Sequence, residues 1–131
     1  MMVFSPWNAA LESRMAELKS LPYYIPEYYG GSCVKDTCAN FANHLLNVLF
    51  VEGVPAPQLV PGGDGTVQME WHRNGFDLEI DIALPYGVFA TRRDLVNNLV
   101  DEIEVTSDLS ILLQWISNLA PAVKSEQGTH A

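Results

Sequence analysis

From Thr66 to Arg73, and again from Phe76 to Ala83, apolar and polar residues alternate, and Asn74-Gly75 separates the two runs. A period of two places alternate side chains on opposite faces of a strand. Asn-Gly supplies the two positive φ angles of a type I′ turn, whose twist suits a two-residue hairpin loop. Such a loop fixes the register: Arg73 opposes Phe76, His72 opposes Asp77, Trp71 opposes Leu78, Glu70 opposes Glu79 and Gln68 opposes Asp81. Val67, Met69 and Trp71 then share a face with Phe76, Leu78, Ile80 and Ile82, and the acids share the other. A hairpin apolar on one side needs a layer packed on that side only. The expected fold is α+β, an antiparallel sheet of three to four strands centred on the 66–83 hairpin and packed against two to four helices.

The flanking segments supply those helices. Ser5-Pro6 is an N-cap followed by proline at the first helical position, and Trp7, Ala10, Leu11, Met15 and Leu18 follow at helical spacing, which predicts a helix from Pro6 to Lys19. A second helix should start near Val34 to Thr37 and stop at Gly53, with Cys38, Phe41, Leu45, Val48 and Leu49 on its apolar stripe. Gln58 to Val60 and Val88 to Thr91 read as short strands. Leu95, Val96, Leu99, Val100 and Ile103 fit a helical period better than a strand. A last helix is expected to begin at the N-cap Ser107 and to end at Pro121. Trp115 and Ile111 lie beside its main stripe, where they either widen the core face or seat a second subunit.

At 131 residues, with 48% hydrophobic and 18% charged residues, the chain has the composition of one globular domain, expected over 1–120 with a polar tail over 121–131. The segment Met1 to Pro6 lacks the basic and long apolar regions of a secretory signal, so the cytoplasm is the expected compartment. Cys33 and Cys38 match neither a zinc-ligand nor a C-x-x-C redox spacing, and free thiols are expected. Sixteen acids against seven bases give a formal charge of −9, which disfavours direct nucleic-acid and membrane contact and favours a protein partner with a basic surface. The imbalance is local as well, because Asp94, Asp101, Glu102, Glu104 and Asp108 occur with no Lys or Arg between Arg93 and Lys124.

The ordered series Leu21-Pro22, Tyr28-Tyr29-Gly30-Gly31, Pro55-Ala56-Pro57, Val60-Pro61-Gly62-Gly63 through Glu70-Trp71 and Leu78-Glu79-Ile80 resembles a family of small bacterial proteins. That family pairs an L-P-x-x-W-x-x-Y-G-type loop with a G-G-x-x-x-E-W strand and a following L-x-I-E-type strand. The likeness covers about Leu21 to Ile82, with Tyr24 or Ile25 near the family's Trp, and it implies an α+β fold and no catalytic residues.

Two features suit binding. The outer hairpin face collects Glu70, Asp77, Glu79 and Asp81, and Glu70 directly opposite Glu79 is a destabilising like-charge pair unless solvent, counterions, Arg73 or a basic partner offsets it. Tyr23, Tyr24, Tyr28 and Tyr29 crowd a loop punctuated by prolines and glycines, and tyrosines offer large contact area and a hydroxyl at low entropic cost. Chemistry is weaker. Glu70, His72, Asp77 and Glu79 could ligate a divalent cation, but a flat sheet is a poor cage. Cys38 and His44 point apart on one helix, and no phosphate-binding, zinc-protease or nucleophile-elbow string is present. The expected function is therefore a non-catalytic, inhibitor-type interaction protein without a cofactor, an antitoxin or a phage anti-defence factor, that binds through Glu70, Asp77, Glu79, Asp81 and the four tyrosines. The other readings are a small metal-dependent hydrolase using the hairpin carboxylates and His72, and, as a further assembly, a homodimer.

Overall fold

The computed structural model describes residues 5–20, 34–63, 65–83 and 87–121. Two helices come first, α1 (Pro6–Lys19) and α2 (Asp36–Val48), followed by strands β1 (Gln58–Gly63), β2 (Thr66–Arg73), β3 (Phe76–Ala83), β4 (Gly87–Asp94) and β5 (Leu99–Val105), and a closing helix, α3 (Ser110–Ser117). The strands form one five-stranded antiparallel sheet in the order β1-β2-β3-β4-β5, an α+β fold with a strand more than the sequence led us to expect.

The central hairpin has the register dictated by its turn, with His72 opposite Asp77, Trp71 opposite Leu78, Glu70 opposite Glu79 and Gln68 opposite Asp81. Asn74 and Gly75 have φ of 55° and 79°, as a type I′ turn demands. The inward rows of β2, β3 and β4 are buried, Val67, Met69, Trp71, Leu78, Ile80, Ile82, Val88 and Ala90 among them. They form a single core with Trp7, Met15 and Leu18 of α1, Cys38, Leu45 and Leu46 of α2, and Leu112, Trp115 and Ile116 of α3.

Helix α1 follows its sequence signals closely. Ser5 and Asn8 form a reciprocal capping box, with proline in the first turn. Helix α2 is shorter than expected. It ends at Val48 with Leu49 as C-cap, while Gly53, at φ 89°, serves the turn beyond. Its buried stripe takes in Ala39, Ala42 and Leu46, and Val48 is left 39% exposed. Small alanines let the helix approach α1 and the sheet closely, a preference that a count of large apolar residues overlooks.

The segment 95–103 is not a helix. Asp94 Oδ1 accepts hydrogen bonds from the backbone amides of Val96 (3.0 Å) and Asn97 (3.1 Å), and Asn98 adopts φ 58°. This side-chain-stabilised turn reverses the chain, and β5 then pairs with β4 from Asp94↔Leu99 to Val88↔Val105. A continuous ladder beside an already formed strand outweighs a helical spacing of five apolar residues. The last helix starts at Ser110 rather than after Ser107, and Asp108 Oδ1 accepts from the Ser110 amide at 2.9 Å. Trp115 is 7% exposed and belongs to the core, which removes it as a subunit seat, whereas Ile111 is 52% exposed.

Polar contacts join the layers. The indole N–H of Trp7 donates to the Val54 carbonyl and that of Trp71 to the Pro55 carbonyl, both at 2.8 Å, with the two rings 5.5 Å apart. On the inner face of β4 the Arg92 guanidinium lies 4.9 Å from the Phe76 ring and 4.8 Å from the Trp115 ring. It also donates to Asn118 Oδ1 at 3.2 Å and faces Asp101 at 3.6 Å. The turn residue Asn74 adds bonds to the carbonyls of Asn118 and Ala120. Both the turn and β4 thus hold the end of α3. Replacing Arg92 by Ala should lower stability by about 1–3 kcal/mol, with α3 amides losing hydrogen-exchange protection before those of β2 and β3. Unchanged protection across α3 would show that Arg92 does not hold it.

Candidate functional site: an acidic sheet face

The register that buries one row of every strand sends the alternate row outward. None of the outward residues of β2 to β5 is buried. Glu70, Asp77, Glu79, Asp81, Glu102 and Glu104 bring six carboxylates to this face. They fall in cross-strand rows: His72, Asp77, Arg93 and Val100 nearest the hairpin turn, then Glu70, Glu79, Thr91 and Glu102, then Gln68, Asp81, Phe89 and Glu104.

The positive groups collect at the turn end. His72 Nδ1 lies 2.7 Å from Asp77 Oδ1, its Nε2 lies 3.3 Å from Glu70 Oε1, and Arg93 is the β4 neighbour of Asp77. The bond to Asp77, then that to Glu70, raises the imidazole pKa from its ordinary value. A protonated ring donates through both nitrogens and ties the two carboxylates together. Arg73, expected to offset the acids, opposes Phe76 and so belongs to the inner row; Arg93 takes that place.

Among the described residues no cation sits in the row farthest from the turn. Burial, then the neighbouring Glu79 carboxyl, pushes the Asp81 carboxyl up to about 7, with Gln68 opposing the shift, and Asp81 Oδ1 is buried without a hydrogen-bond partner. Burial first and the like charge of Glu79 second keep this carboxyl protonated up to near neutrality.

The other candidates separate. Cys38 is fully buried, and burial raises its thiol pKa, while His44 is exposed on α2, so the two form no nucleophile and base. Among the described residues no group of three or more His, Cys, Asp and Glu could hold a metal ion. Tyr23, Tyr24, Tyr28, Tyr29 and Cys33 lie outside the described residues, as does the tail from 122. A cleft of about 480 Å³ between α1 and α2 is lined by Ser5, Asn8, Glu12, Lys19 and Asn43 among others. Its Ser5 and Asn8 are engaged in the capping box, and Asn8 Nδ2 donates to the Asn43 carbonyl at 2.8 Å. Among the described residues no helix is long and apolar enough to cross a membrane.

Glu102, Glu104 and Arg93 are the members of this face that sequence reasoning missed. The alternation of Val100, Glu102 and Glu104 with Asp101, Ile103 and Val105 carried the signal, masked by the helical spacing of the apolar residues before it. No protein-family model, curated protein or solved structure matches the chain.

The two displaced groups give stability a defined pH dependence. His72 has a raised folded pKa, so its contribution is full below the unfolded value and is lost as pH rises through the folded one. Asp81, raised to about 7, binds its proton more tightly when folded, so stability is lost as pH rises from the ordinary aspartate range to about 7. Asp94 and Asp108 are depressed by hydrogen bonds, from Asn97 and Ser110 respectively, and their contributions disappear only as pH falls through their folded values. Denaturant unfolding should therefore show the wild type more stable near pH 5.5 than near pH 8, roughly the interval between these titrations, and Asp81→Asn should flatten the dependence. A wild-type profile that rises towards pH 8 would contradict these assignments.

Proposed function

We propose that the chain is a non-catalytic interaction protein whose outer sheet face docks on a basic surface of another protein, acting as an inhibitor of the antitoxin or anti-defence type. The observation that carries the reading is the row without a described cation on a sheet face none of whose described residues is buried, where burial and the neighbouring Glu79 hold Asp81 at about 7. A lysine or arginine placed there would satisfy Asp81 Oδ1 and relieve the repulsion, so the face gains more from a basic partner than isolated surface acids would. A face-to-face homodimer would instead oppose two acidic faces, which disfavours self-association by this route. Steered by a formal charge of −9, the protein would find a nucleic-acid-binding surface quickly and occupy it in place of phosphate. A metal-dependent hydrolase gains no support, because the carboxylates and His72 spread along a flat face rather than converging in a cleft.

The test is capture by the tagged wild type compared with a Glu79→Gln/Asp81→Asn variant. The variant should fold with undiminished stability, since it removes like-charge crowding, yet retain the partner about tenfold less strongly. Capture by the wild type should fall with added salt. Equal capture by both forms in low salt would sink the acidic-face reading.

A further inference from the structure

The two edges of the sheet are unlike. At β1 the edge is blunted, because Pro61 has no amide to donate and the register with β2 slips between Pro61 and Gly63. The opposite edge, β5, carries no proline, glycine or lysine in its seven residues, and its pairing with β4 runs without a bulge. Among the described residues β5 pairs with β4 alone, which leaves its far side a row of unpaired amides and carbonyls. Natural sheets blunt such edges with short strands, prolines, bulges or charged side chains. Of these β5 has only the charges, Asp101 on its inner row and Glu102 and Glu104 on its outer row, and because all three are acidic they turn away an acidic strand and suit one that brings basic residues.

The side chains of β5 specify what that strand would look like. Its inner row is Leu99, Asp101, Ile103 and Val105; its outer row is Val100, Glu102 and Glu104. Leu99 and Val100 are 59% and 51% exposed, and Ile103 and Val105 are only partly buried against the core. An added strand presents its own alternate residues beside these rows. Apolar residues beside Leu99, Ile103 and Val105 would extend the core, and basic residues beside Glu102 and Glu104 would extend the charge pairing of the outer face. A second copy of this chain is a poor occupant, because its β5 would add three more carboxylates to an edge that already has Asp101, Glu102 and Glu104.

We infer that β5 is a strand-addition edge that takes an extended segment of the partner protein, apolar at one set of alternate positions and lysine or arginine at the other. The inference rests on the acidic-docking reading for the sign of the partner's charge, and adds the geometry of capture: backbone hydrogen bonds at the edge with the basic side chains reaching over the outer face.

The experiment uses the isotope-labelled full chain, a capped (Val-Lys)4 peptide and a capped (Pro-Lys)4 peptide of equal charge, whose prolines remove every second backbone amide and disfavour strand pairing. The Val-Lys peptide should slow hydrogen exchange at alternate amides of 99–105, shift resonances there and in β4, and bind about tenfold more tightly than the Pro-Lys peptide. A Glu102→Lys/Glu104→Lys variant, altered only at exposed side chains, should lose that preference. Equal binding of the two peptides, or no new protection in β5, overturns the proposal. Shifts centred on Gln68, Glu79 and Asp81 with β5 unchanged overturn the edge and leave the acidic face standing. No response to either peptide also overturns the edge, and the capture experiment decides the face separately.

Discussion

The connection at Asn74-Gly75 is two residues long, and the rest of the molecule inherits its consequences. A turn of that length admits one register, and that register decides both faces of the hairpin together. Trp71 meets Leu78 and Met69 meets Ile80 on the buried side, so Glu70 must meet Glu79 and Gln68 must meet Asp81 on the other. A slip of one residue would relieve the like charges only by turning the apolar row of one strand, with Trp71 or Leu78, out to solvent. Burying a large apolar side chain contributes about 1.5–3 kcal/mol, more than a like-charge pair on a solvated face costs. The core wins, and the acidic face is its by-product.

The layers around the hairpin preserve that outcome. The paired indoles of Trp7 and Trp71 bond the carbonyls of Val54 and Pro55, which fixes the approach to β1 and seats α1 on the sheet. Arg92 stacks between Phe76 and Trp115, and Asn74 donates to the carbonyls of Asn118 and Ala120 just past the end of α3, so the turn is also an anchor for the closing helix. The helices share one core with the inward rows of the sheet, and none of the described outward residues is buried. An acidic face is therefore presented on a rigid sheet, where its charges cannot move apart.

The sequence was most legible where a local rule and the tertiary structure agreed. Ser5-Pro6 placed α1, and strict alternation about Asn74-Gly75 placed β2 and β3 to the residue. It was least legible where local pattern and neighbours disagreed. Leu95, Val96, Leu99, Val100 and Ile103 have a helical period, yet Asp94 turns the chain with its side chain and β4 offers a complete ladder to pair with. That one misreading hid Glu102 and Glu104 and with them the extent of the acidic face. Arg73 and Arg93 show the same limit in charge: both look like counterions in a linear reading, but only strand parity tells which shares a face with Asp77.

The central claim is that the hairpin register sets Asp81 beside Glu79 on one face of β3, with no described cation in the row of Asp81, and that a positive group would relieve the pair. Site-resolved NMR titration of the Asp81 side-chain carboxyl measures this directly. The account predicts a midpoint at about 7 in the wild type, falling when Glu79 is replaced by Gln and falling further when a partner is bound. An Asp81 midpoint within the ordinary aspartate range, indifferent to Glu79→Gln, would mean that the face is simply solvated, and the account would fail.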